Sequence, residues 1–152
     1  MKNIAKHCLL LLTVALLSGC ASGPKFTAAS KNFPALDPNQ GRIFIYRKSD
    51  GRITGPKWAQ PSARLNGIKI ATVRPREFIY VDQDPGTHEI SLVTEVKRTL
   101  SLQLEPGQIR YVRLRESMGF FLVHVFPELV DPMLGESEIQ KCSYTAKDFQ
   151  KP

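Results

Sequence analysis

From Gly41 onward the chain is a succession of short β-prone runs, each closed by a turn that few residue types can make, and this punctuation limits the fold more than any other feature. Asn66-Gly67 stands between Arg64-Leu65 and Ile68-Lys69-Ile70-Ala71-Thr72-Val73. Two consecutive residues that tolerate positive φ are the strongest local signal for a tight hairpin. Glu77 to Asp82 follows, then a turn at Asp84-Pro85-Gly86, then a run from His88 to Thr94. Thr99-Leu100-Ser101-Leu102-Gln103-Leu104 alternates with period two, as a strand with one dry and one wet face should. Glu105-Pro106-Gly107 turns the chain into Ile109 to Arg115, and Gly119 opens a last apolar run from Phe120 to Phe126. Ahead of all these, Arg42-Ile43-Phe44-Ile45-Tyr46-Arg47 is a near-continuous β-branched and aromatic run, which predicts a strand covered on both faces. About seven to eight short strands divided by such turns predict an all-β fold, a small antiparallel β-sandwich.

The composition agrees. Of 152 residues, 42% are hydrophobic and 23% charged, which suits a single folded domain and excludes wholesale disorder or a fibrous repeat. Twenty-one Lys and Arg against fourteen Asp and Glu make the chain basic, at +7. Between Ser49 and Pro61 lies a loop with Asp50-Gly51, Gly55-Pro56 and the only tryptophan, Trp58. Near the C-terminus, Gly135 to Lys141 carries acids first and a base last, the order a short helix dipole prefers.

The N-terminus reads as an address. Met1 to Lys6 holds two lysines and no acid, and Cys8 to Leu17 is a Leu-rich run of ten residues broken only by Thr13. A membrane-spanning helix needs about 20 apolar residues, so the run suits a cleaved secretory signal instead. Residues 21–40 are rich in Ala, Ser, Asn, Lys and Pro without a sustained period, and read as a tether with a mean span of roughly 25 Å. Phe26 and Phe33 within it have the size to dock on the folded part.

Leu17-Ser18-Gly19-Cys20 resembles the lipobox of bacterial lipoproteins. That resemblance implies a diacylglyceryl thioether on Cys20, cleavage after Gly19 and acylation of the new amine. Ala21, rather than Asp, implies the outer membrane, facing the periplasm. The expected organisation is then a signal peptide over 1–19, a lipidated terminus and tether over 20–40, and the sandwich over 41–146. Loss of 1–19 leaves a net charge of +5 and two cysteines, Cys20 and Cys142, so a lipidated Cys20 rules out an intramolecular disulfide.

The turns carry a second resemblance. Leu65-Asn66-Gly67, Pro85-Gly86-Thr87-His88-Glu89-Ile90, Glu105-Pro106-Gly107-Gln108 with Tyr111-Val112, and Pro127-Glu128-Leu129-Val130-Asp131-Pro132 with Gly135-Glu136 resemble the bacterial family catalogued as domain of unknown function 2846. The likeness runs from about Leu36 to Thr145. It implies a lipoprotein β-domain and no reaction. One departure is Ala71, where a glycine is expected.

Candidate chemistry is sparse. A thiol enzyme or hydrolase would need Cys142 with His88 or His124 as base, yet no local motif surrounds Cys142, and a lone cysteine more often packs as a small hydrophobe. His88, just after a Pro-Gly turn, is expected to bond a loop carbonyl; His124 is expected on a sheet face. Asp82, Asp84 and Glu89 cluster at one turn, where Asp ordinarily bonds its own backbone. The sequence holds no Gly-rich phosphate loop, no Gly-x-Ser-x-Gly and no metal-ligand spacing, so neither a cofactor nor a metal is expected. Arg113 and Arg115 share a strand face, with Arg110 on the other, and could meet anionic head groups or a wall polymer. Trp58 could stack on a sugar. The expectation is a non-catalytic envelope module that binds membrane lipid through Cys20 and possesses a protein or polymer partner contact at Trp58, Arg113 and Arg115. Its exported address leaves no opportunity for nucleic acid.

Overall fold

The computed structural model describes residues 23–48, 60–93, 97–118 and 123–145. Residues 1–19, read above as a signal peptide, and the candidate residues Cys20 and Trp58 lie outside them. Among the described residues, nine strands form two sheets: β1 (Gly41–Arg47), β2 (Ser62–Leu65), β3 (Ile68–Thr72), β4 (Glu77–Gln83), β5 (Gly86–Val93), β6 (Lys97–Leu104), β7 (Ile109–Met118), β8 (Val123–Val130) and β9 (Ser143–Tyr144). Two short helices accompany them, α1 (Phe26–Ala29), continued by a 3-10 turn over Ser30–Asn32, and α2 (Pro132–Ile139).

Sheet B runs β3-β2-β5-β6 and is antiparallel throughout. Its β2–β3 turn is the Asn66-Gly67 hairpin, with φ of 49° and 84° at the two residues, the doubly left-handed turn that follows the strand twist. Sheet A runs β8-β7-β1-β4-β9. The sandwich and its β character are as the sequence predicts, but sheet A is mixed rather than antiparallel: β1 pairs in parallel with β7, and β4 with β9. Parallel neighbours cannot be joined by a tight turn, so these pairings unite segments far apart in sequence and leave no local signature. Strand β8 reaches beyond the apolar run and passes through Pro127, which an edge strand of sheet A tolerates because one side of its backbone needs no partner.

The main core fills the space between the sheets. Ile43, Ile45, Ile79, Val81, Val112 and Leu114 from sheet A meet Leu65, Ile70, Ile90, Leu92, Leu102 and Leu104 from sheet B. Every residue of β1 is buried, because the opposite face of sheet A is also covered. There Phe44, Tyr46, Phe78, Tyr111, Val130, Ile139 and Cys142 form a second core with Phe26, Phe33, Tyr80 and Tyr144 packed against it. Thus residues 25–33, which read as tether, are folded onto sheet A by the two phenylalanines singled out in the sequence, and the folded body reaches further towards the N-terminus than Gly41. The segment is stitched down by backbone bonds, Phe26 N–H to the Cys142 carbonyl at 3.1 Å and Tyr144 N–H to the Pro24 carbonyl at 2.8 Å.

α2 covers the rest of that face. It begins three residues before the predicted Gly135: the Asp131 side chain accepts from the Met133 N–H at 2.9 Å and Pro132 occupies the first turn, an N-cap followed by the residue whose missing N–H costs nothing there. Gly135 brings the helix close to the sheet, since a Cβ there would fall on Cβ and Cγ of Tyr111.

Candidate functional site

The most concentrated polar chemistry among the described residues sits on the outer face of sheet A, under the end of α2. Tyr46 on β1 and Arg113 on β7 are register neighbours in the parallel pair, and both point at Glu138 of the helix. The Tyr46 hydroxyl donates to Glu138 Oε2 at 2.7 Å, and Arg113 Nη1 reaches both carboxylate oxygens at 3.0 and 3.1 Å. Lys48, one residue past β1, donates to Oε1 at 3.2 Å. Arg113 Nη2 also reaches Glu128 Oε2 at 3.1 Å, and the same oxygen lies 3.6 Å from Arg115 Nε.

The electrostatics follow from this placement. Burial alone would push the Glu138 carboxyl up, but bonds from Tyr46, Lys48 and Arg113 outweigh it and hold the group below its ordinary range. Burial, with the Glu138 carboxylate opposite, raises the Tyr46 phenol well above its usual value, so it stays a neutral donor. The cluster therefore fastens helix to sheet with fixed charges; a proton-transfer group would instead titrate near neutrality.

Arg113 is thus occupied within the body, whereas Arg115 is half-exposed, its guanidinium 5.7 Å from the Phe126 ring centre. The two arginines share a face as the alternation predicts, while Val112 and Leu114 point into the main core. Arg98 approaches the same Phe126 ring at 5.0 Å.

The thiol and the two histidines are carried by different elements, and His88 lies in the other sheet. Cys142 is buried in the outer-face core, its Sγ 3.7 Å from the Arg47 carbonyl, and burial pushes its thiol up to about 11. His88 lies on β5 of sheet B, with Nε2 2.8 Å from the Asp84 carbonyl, the loop-carbonyl bond expected of it. Asn66 Oδ1 accepts from the Glu89 N–H at 2.9 Å, so its amide nitrogen must be the atom 3.1 Å from His88 Nδ1. Nδ1 therefore accepts, and the proton sits on Nε2. His124, on β8, neighbours Phe126 with ring centres 6.3 Å apart.

The acids at the β4–β5 turn each have a separate partner. Asp82 takes Arg42 in a two-pronged pair at 2.6 and 2.7 Å, Asp84 accepts from the Gln40 amide at 3.2 Å, and Glu89 meets Lys97 at 3.1 Å. No three His, Cys, Asp or Glu side chains among the described residues gather closely enough to hold a metal ion. No helix among them is long and apolar enough to cross a membrane.

Sequence reading overlooked Glu138, Tyr46 and Lys48 as a unit. The available signal was Tyr46 itself, a hydroxyl on a strand buried on both faces, which must find a partner from whatever covers it.

Fold and cluster define a small two-sheet β-domain whose second face is closed by its own terminal segments. Residues 37–126 match the family described as "Protein of unknown function (DUF2846)", well over half of the chain, and the protein belongs to that family. The match takes in β1 to β7 and the first half of β8, so α1, α2 and β9, which close the outer face, lie outside it. No curated protein and no solved structure matches the chain.

Proposed function

We propose that the protein is a non-catalytic lipoprotein of the bacterial envelope, held at the periplasmic face of the outer membrane by acylated Cys20 and acting as a binding or structural module. The observation that carries this reading is Leu17-Ser18-Gly19-Cys20 directly after a ten-residue apolar run, at the position where a lipid-accepting cysteine is required. Two or more acyl chains anchor stably where one does not, since each buried CH₂ contributes about 0.8 kcal/mol. The family match supports a domain without an assigned reaction, and the burial of Cys142 speaks for a packing role over a nucleophilic one.

The test is replacement of Cys20. Cys20→Ser is expected to leave the chain without acyl mass and to move it out of the membrane-retained lipoprotein fraction; an intact mass that changes only by the sulfur-to-oxygen exchange, with unchanged retention, would sink the reading. Alkylation of Cys142 addresses the thiol-enzyme alternative. Modification is expected only after denaturation, and rapid modification of the folded protein near neutral pH would restore Cys142 as a nucleophile.

A further inference from the structure

The edge of sheet A beyond β4 gathers basic residues from three distant parts of the sequence. Lys25 forms an antiparallel bridge with Ser143, and Ser143 N–H donates to the Arg76 carbonyl at 2.8 Å. The Lys25 ammonium reaches the Lys141 carbonyl at 3.2 Å. Lys25, Arg76 and Lys141 are all exposed. Glu77 stands opposite Ser143 in the β4–β9 register, and its carboxylate is engaged by Arg74, at 3.1 Å from the N–H and 3.7 Å from the guanidinium. Among the described residues the edge therefore carries a clear excess of positive charge.

Arg76 adds an independent observation. Its φ is 64°, a left-handed conformation that glycine adopts without cost and a long side chain does not. Its N–H bonds the Arg47 carbonyl at 2.8 Å, and its own carbonyl takes Ser143, so the backbone demand is plain. Glycine would meet that demand better, so backbone geometry does not account for the arginine.

This is also where the chain enters the body. Gly23 lies against the Tyr144 carbonyl, so closely that a Cβ could not be accommodated. Cys20 precedes Gly23 by three residues, which reach about 10 Å when fully extended. That is close to the roughly 8 Å screening length at physiological ionic strength. We propose that the edge formed by Lys25, Arg76 and Lys141 around Ser143 is the face this body turns to the membrane, and that its partner there is anionic phospholipid head groups. The inference rests on anchoring through Cys20 and makes that anchor a short one, which orients the domain as well as retaining it. A lipid surface is favoured over a wall polymer because the length of chain outside the body confines this edge, among all its faces, to the bilayer.

The lipidated chain, extracted from membranes and reconstituted into vesicles, supplies the test. Vesicles of phosphatidylcholine alone are compared with vesicles containing phosphatidylglycerol, and lysine acetylation is followed site by site by mass spectrometry. Lys25 and Lys141 are expected to react several-fold more slowly on the phosphatidylglycerol vesicles. Lys97, on β6, which packs across β8 at the other flank, should react equally on both. Salt near 1 M, where screening shortens to about 3 Å, should abolish the difference. Flotation with both vesicles but equal rates at Lys25 and Lys141 overturns the docking face and leaves the anchor standing. Failure to float with either removes the anchor and the docking face together. Slowing that appears only on addition of soluble anionic wall fragments would assign the edge to a polymer and overturn the lipid proposal.

Discussion

At the scale of single residues, the domain keeps its charges where they can be matched. Arg42 and Arg47 are both buried at the ends of β1, and each has an acid within 2.7 Å, Asp82 and Glu116. Glu138 is the most heavily shared acid, and it yields a prediction with a definite sign. Because its folded-state carboxyl titrates below its unfolded value, its contribution to stability is fully present above the ordinary glutamate range and is lost as pH falls through the lower, folded value. Glu138→Gln removes the charge that Arg113 and Lys48 face, and is expected to cost about 3 kcal/mol at neutral pH, with the side chain only 10% exposed. Urea unfolding midpoints followed from about pH 6 to about pH 3 should show the wild type and variant converging at the acid end. Parallel curves would mean that Glu138 is not held as a carboxylate by its neighbours.

At the scale of elements, what was legible in the sequence is what short-range physics controls. The Asn66-Gly67 hairpin, the alternation of β6 and the double burial of β1 all follow from residues within a few positions of one another. The helix start was legible too, in Asp131-Pro132, but the acids from Glu136 onward drew the boundary three residues late. The parallel β1–β7 and β4–β9 pairings were not legible, because nothing in Arg42 to Arg47 specifies a neighbour some seventy residues away. Nor was the site: Tyr46 and Glu138 are joined by a helix whose seat depends on Gly135, and no spacing rule connects them. That seat decides between two opposing effects. Gly135→Ala would improve helix propensity by about 1 kcal/mol, yet the new methyl meets the base of the Tyr111 ring, which cannot swing away, and overpacking of this kind costs about 1–3 kcal/mol. The variant is expected to melt at a lower temperature than the wild type. A higher melting temperature would show that α2 sits less tightly than its geometry requires.

At the scale of the whole molecule, the two cores lie on opposite faces of sheet A, and its buried strand belongs to both. Loosening one should therefore be felt by the other. Phe33 lies far outside the inter-sheet space, with its ring 4.4 Å from Tyr80 and 5.8 Å from Tyr144 between centres. Phe33→Ala is expected to cost about 2–3 kcal/mol while preserving a single cooperative transition in circular dichroism and fluorescence. A loss below about 0.5 kcal/mol, the scale of ordinary surface substitutions, would mean that the N-terminal segment only rests on the sheet.

The same stitching has a topological consequence. Pro24 and Tyr144, almost the first and last described residues, share a hydrogen bond at the rim of one sheet. The body is thus nearly a closed ring of chain, in which the order of the strands matters less than their neighbours. Joining its two ends by a short linker and reopening the ring at Pro106-Gly107 would leave every pairing in both sheets intact. The first and last described residues of this body therefore meet at a single doorway on its surface.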